Sequence, residues 1–157
     1  MLRLYKNNGK GGAVRKGMVR ARGQYLLMAD ADGASKASEL GSLLDALRRT
    51  EVDGRGVAVG SRAHLEEAEG KAKRTLLRKI LMWGFHTLIT IMLGSGQIQD
   101  TQCGFKLFTR RAAADLFPVQ HIDRWAFDVE LIFLAARKNI PMVVRLGDGV
   151  HAAQVGG

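Results

Sequence analysis

Short apolar runs alternate along this chain with segments whose apolar residues recur at helical spacing. Gln24 to Ala29 is a compact apolar run that stops at Asp30, and it predicts a buried strand. Leu40, Leu43, Leu44 and Leu47 form one stripe at helical spacing, so an amphipathic helix is expected there. Gly56 to Gly60 predicts a second buried strand, and Glu66 to Leu93 a mainly helical stretch ended by Gly94-Ser95-Gly96. Cys103 to Phe108 reads as a strand, and Arg110 to Phe117 as a short helix closed by Pro118. Phe127 to Arg137 follows as a helix and Pro141 to Leu146 as a last strand. Ahead of all these, residues 7–12 (Asn-Asn-Gly-Lys-Gly-Gly) predict a glycine-rich loop and Ala13 to Arg22 a short helix. Strands alternating with helices argue for a layered α/β fold. From Gly147 onward the residues are small and carry no periodicity, so the expected division is a domain over 1–146 and a divergent, disordered tail over 147–157.

Composition narrows the partners more than the fold. A chain of 157 residues suffices for one domain with a modest core. Its formal charge of +9 points to an anionic partner: a nucleotide diphosphate, an acidic membrane surface or a nucleic acid. The charge is uneven, since every charged residue from Met1 to Gly23 is Lys or Arg. Only 6% of residues are aromatic and no zinc-ligand spacing occurs, so nucleic acid is not the expected partner. Cys103 is the only cysteine, which rules out an internal disulfide and suits a reducing compartment. No basic-then-apolar leader opens the chain. The apolar segment Ile80 to Leu93 is too short to span a bilayer, which leaves it for the core or for a membrane surface.

The candidate chemistry gathers where the apolar strands end. Asp30 and Asp32 close the first strand; side chains alternate along a strand, so the two carboxylates are expected to point the same way, roughly 6–7 Å apart at the backbone. Two hard oxygen donors at a strand's carboxyl edge suit Mg²⁺ or Mn²⁺, and such an ion can bridge the phosphates of a nucleotide sugar. Arg62 ends the second strand, where a guanidinium can grip phosphate through two hydrogen bonds. Arg74 and Arg78 lie one helical turn apart and share a face open to a lipid phosphate or to solvent. Lys10 adds charge to a loop whose N–H groups could meet an anion. Asp100 and Gln102 could bind sugar hydroxyls or an acceptor. Asp128, in the first turn of a helix, either satisfies the helix dipole or faces the sugar or acceptor. Cys103 reads as packing, because no histidine stands in a partner motif.

NGKGGAVRKGM (8–18), ARGQYLLMADADGA (21–34), VAVGSR (57–62), DTQCGFKLFTR (100–110) and RWAFDVEL (124–131), in this order, resemble family 2 of the glycosyltransferases in its dolichyl-phosphate glucosylating branch. The resemblance covers Lys6 to Val144. It implies a GT-A fold and transfer of glucose from UDP-glucose to dolichyl phosphate with inversion, for protein N-glycosylation at the cytosolic face of the endoplasmic reticulum membrane. It also implies that Asp30 and Asp32 hold the metal, Mg²⁺ or Mn²⁺, and that Lys10 and Gln102 contribute to the donor site. Arg62, Arg74 and Arg78 are similar to positions that hold the acceptor phosphate, and Asp128 with Arg62 to the catalytic positions. Two alternatives stay open: a mannosyl transferase acting on dolichyl phosphate, and an inactive truncated form serving only as a binding module. The family's usual chain begins with a membrane helix and with strands of the nucleotide-binding sheet that this sequence does not display. A partial GT-A fold is therefore expected, with an unpaired sheet edge, an uncovered apolar face and low stability.

Overall fold

The computed structural model describes residues 2–32, 37–60, 103–146 and 149–153. Helix α1 (Gly9–Arg20) leads into strand β1 (Tyr25–Ala29), followed by a single 3₁₀ turn at Ala37–Glu39 and helix α2 (Leu40–Thr50). Strand β2 (Val57–Val59) comes next, then β3 (Phe105–Thr109) and helix α3 (Arg110–Leu116). Helix α4 (Phe127–Arg137) precedes β4 (Met142–Leu146) and β5 (Gly149–Ala153). The strands form one sheet in the order β1-β3-β2-β4-β5.

The strands lie where the apolar runs predict them, but the sheet is mixed. β2 and β4 run parallel, while β3 runs antiparallel to both β1 and β2. An apolar run fixes burial and says nothing of direction, which is set by the connection leading into the strand. Every residue of β2 and β3 is buried, so helices and loops cover the sheet's centre on both faces. The edge strand β1 differs: Leu26 and Met28 face the core, while Leu27 is 39% exposed. Among the described residues β1 pairs with β3 alone.

Local sequence explains the covering helices. The stripe on α2 is realised: Leu43 and Leu47 are fully buried, and Leu40 and Leu44 are packed against the same core. Thr109 ends β3 and starts α3 at once. Its hydroxyl oxygen accepts from the Ala112 N–H at 3.2 Å, the usual helix cap, and from the Gly56 N–H at 3.2 Å. Arg15 of α1 donates to the carbonyls of Phe117 and Pro118 at 3.1 and 2.8 Å, which ties α1 to the turn after α3.

Two expectations are corrected. The glycine-rich stretch is not a loop: α1 begins at Gly9, and Gly11 and Gly12 are buried within it. A Cβ on Gly11 would lie 2.6 Å from the Ile122 carbonyl oxygen and 2.8 Å from the Phe127 Cβ. These glycines serve close packing of a helix against the segment leading into α4. The tail expected to be disordered from residue 147 instead carries β5, antiparallel to β4. Its small residues still satisfy an edge, because ladder hydrogen bonds come from the backbone and require no side chain. The expected helix over 66–93 lies outside the described residues.

Candidate active site

Four charged side chains, Lys10, Asp30, Lys106 and Asp128, form the site's two ion pairs. Asp30 immediately follows β1, and its N–H donates to the Gly104 carbonyl at 3.1 Å. Both of its carboxylate oxygens lie 2.8 Å from the Lys10 ammonium. Lys10 stands in the first turn of α1. The ammonium also sits 5.9 Å from the centre of the Phe127 ring, at the start of α4. Asp32 is exposed in the turn that follows. The strand therefore ends one residue before the acidic pair, and strand alternation does not govern the relative direction of Asp30 and Asp32.

The second pair lies inside the protein. Lys106 is the second residue of β3, opposite Met28 on one side and Val59 on the other. Its ammonium donates to Asp128 Oδ1 at 2.6 Å and to the Cys103 carbonyl. The two side chains are 1% and 5% exposed. Burial pushes the Asp128 carboxyl above the usual carboxylate range; Lys106 pulls it back by charge and hydrogen bond without cancelling the rise. Lys10 acts in the same direction as Lys106, and Asp30 opposes both, so the two pairs feel one another electrostatically.

The neighbouring frame is held by side chains on backbone. The Glu130 carboxylate accepts from the N–H groups of His121 and Ile122 at 2.8 and 2.7 Å. The buried Gln120 amide donates to the carbonyls of Gly11 and Ile122 at 3.1 and 2.9 Å. These bonds fix the segment before α4 against α1, and with it the distance between the elements that carry Lys10 and Asp128.

The structure thus brings together Lys10 and Asp30, with Asp128 behind them and Asp32 at the rim. Arg62, Arg74, Arg78, Asp100 and Gln102 lie outside the described residues. Among the described residues no group of three or more His, Cys, Asp or Glu side chains gathers to hold a metal. Asp30 and Asp32 could supply two carboxylate oxygens. That donor set fits a hard divalent cation that takes its remaining ligands from a diphosphate and water, not one caged by protein. Sequence reasoning missed Lys106. The available signal was a single charge within the apolar run Phe105-Lys106-Leu107-Phe108, which demands a buried counter-charge.

The sequence profile described as Glycosyl transferase family 2 matches residues 1–117. The chain belongs to glycosyltransferase family 2. Within that family it is similar to proteins named dolichyl-phosphate beta-glucosyltransferase. It is 49% identical over 142 residues to one from Dictyostelium discoideum, covering 90% of this chain and 43% of the relative. It is 52% identical over 144 residues to one from Drosophila melanogaster, covering 90% and 44%. It is 48% identical over 144 residues to one from Homo sapiens, again covering 90% and 44%. This family 2 chain therefore spans less than half the length of the relatives it matches. Among its described residues no helix is long and apolar enough to cross a membrane.

Proposed function

We propose that this chain serves glucosyl transfer from UDP-glucose to dolichyl phosphate, giving dolichyl β-D-glucosyl phosphate at the cytosolic face of the endoplasmic reticulum membrane. The observation that carries the reading is the near-half identity, over about nine-tenths of the chain, to relatives named for that activity. Their names favour the glucosyl over the mannosyl alternative.

The chemistry asks for what the chain's residues can offer. An oxygen of the acceptor phosphate attacks the anomeric carbon of glucose from the face opposite the nucleotide. A new carbon–oxygen bond forms, the bond to UDP breaks, and the configuration inverts. A phosphate monoester is already ionised near neutral pH, so no strong base is required. Catalysis then consists of positioning and of stabilising the departing diphosphate. Asp30 and Asp32 would hold Mg²⁺ or Mn²⁺, which when bound supplies charge to the diphosphate. Lys10, on the positive end of α1, would share its hold on Asp30 and place its ammonium toward the same phosphates. Arg62, Arg74 and Arg78 would meet the acceptor phosphate, and Gln102 the sugar. Asp128, buried against Lys106, would act through the frame it holds and not by proton removal.

The test is transfer of labelled glucose from UDP-glucose to dolichyl phosphate in detergent, with Mn²⁺ or Mg²⁺ and then with chelator. Metal-dependent transfer that disappears in Asp30→Ala is the expected result. No transfer beside an active full-length relative would overturn catalysis by this chain and favour the binding-module alternative. Transfer from GDP-mannose in preference to UDP-glucose would overturn the choice of sugar.

A further inference from the structure

Gly104 is buried at the entrance to β3, and its backbone does not require glycine. Among the described residues the glycines with positive φ are Gly9 and Gly54, and Gly104 is not one of them. What distinguishes position 104 is space. A Cβ built there would overlap the Asp30 Oδ2 and Cγ, and would lie 3.0 Å from the Asp30 Cβ. Its three nearest neighbours are thus all atoms of Asp30. The same residue's carbonyl accepts the Asp30 N–H at 3.1 Å, and the Lys10 ammonium closes on the carboxylate from its oxygen side at 2.8 Å.

We propose that Gly104 is a positioning residue for the donor site: the place of its missing side chain is where the Asp30 carboxylate lies. Any side chain at 104 turns that carboxylate away from the position it shares with Lys10 and, on the functional reading above, with the metal and diphosphate. The inference rests on that reading. The two closest overlaps involve the free end of a flexible aspartate, which rotation of Asp30 relieves, and the 3.0 Å approach to its Cβ asks the backbone to give by only a few tenths of an ångström. A substitution at 104 is therefore expected to disturb the site more than the fold.

The test follows Mn²⁺ binding in the presence of UDP, by the electron paramagnetic resonance of free Mn²⁺, together with thermal melting. It compares the unaltered chain, Gly104→Ala, Asp30→Ala and the double variant. Gly104→Ala is expected to weaken Mn²⁺ binding by about tenfold or more, the usual effect of losing a residue that orients a ligand, with little change in melting. In the Asp30→Ala background the same substitution should add nothing. Unaltered affinity in Gly104→Ala overturns the proposal and leaves the functional reading intact. An equal loss in both backgrounds also overturns it, by assigning the effect to the backbone. Equal Mn²⁺ affinity in the unaltered chain and Asp30→Ala refutes the donor-site reading and the proposal with it. Should Gly104→Ala fail to fold, recovery of melting in the double variant supports the contact, and failure to recover rejects it.

Discussion

The two lysine–aspartate pairs have nearly the same bond length and opposite surroundings. Lys10 and Asp30 meet at 2.8 Å with side chains 44% and 18% exposed, whereas Lys106 and Asp128 meet at 2.6 Å in the interior. Water can solvate the first pair when it opens, so its ions can be traded for a ligand at small cost. The second pair has no such alternative, since separating its ions leaves a charge in a low-dielectric core. Geometry alone would rank the pairs as equals; surroundings make one a candidate site and the other a frame.

The largest effect is expected from breaking the interior pair. Lys106→Met removes the cation that Asp128 faces, and loss of one partner of a buried pair costs about 3–5 kcal/mol. Urea unfolding of the variant checks this, and a loss below about 1 kcal/mol, the range of an exposed pair, would erase the contrast between the pairs. The pH dependence has a definite sign. Burial raises the folded-state value of Asp128 above its ordinary 3.8. A raised acid favours the folded state while protonated, and that contribution is lost as pH rises from the unfolded value through the folded one. Without Lys106 the rise is larger, so the deficit of Lys106→Met should widen as pH increases from about 4 toward neutrality. A deficit that shrinks over that interval would contradict the assignment. The double variant Lys106→Met, Asp128→Leu should recover most of the lost stability, because burying two apolar groups leaves no orphan charge.

An intermediate effect is expected from shifting one pair against the other. Gly11 lets α1 approach the segment before α4, and a Cβ there meets the Ile122 carbonyl and Phe127 at less than contact distance. These neighbours are backbone and the root of a buried side chain, neither of which can swing aside. Gly11→Ala should cost about 1–3 kcal/mol by overpacking, and it should separate Lys10 from the Phe127 ring. A melting temperature equal to that of the unaltered chain would show that α1 is free to move without disturbing α4.

The same contrast explains what could be read from the sequence. The strand positions and the apolar stripe of α2 were legible because burial of apolar side chains repeats with the period of the element. Asp30 stood out in the sequence as a candidate because it stops an apolar run. Lys106 was not recognised, since the run Phe105 to Thr109 reads as a strand whether its lysine faces water or a buried acid. The start of α1 at Gly9 was not legible either: glycine is a poor helix former, and only the close approach of Ile122 and Phe127 to Gly11, and of Asn8 and Asp123 to Gly12, explains two of them buried in a helix. The antiparallel direction of β3 lay beyond local reading, because direction belongs to the connection and not to the strand. β5 escaped for a related reason, since its pairing rests on backbone groups common to every residue.

The smallest expected effect on stability is that of the exposed pair. Lys10→Gln removes the ammonium from Asp30 but leaves both side chains in reach of water, so the cost should be under about 1 kcal/mol. Salt gives the decisive control. At 1 M ionic strength the screening length falls to about 3 Å, comparable with the ion pair itself, so the difference between Lys10→Gln and the unaltered chain should shrink toward zero. The deficit of Lys106→Met should survive the same salt, because ions do not enter the core to screen it. Urea unfolding of both variants at about 0.1 and 1 M salt measures the two responses side by side. A Lys10→Gln deficit that persists in high salt would mean that Lys10 supports α1 through its packing over Phe127 and not through its charge on Asp30.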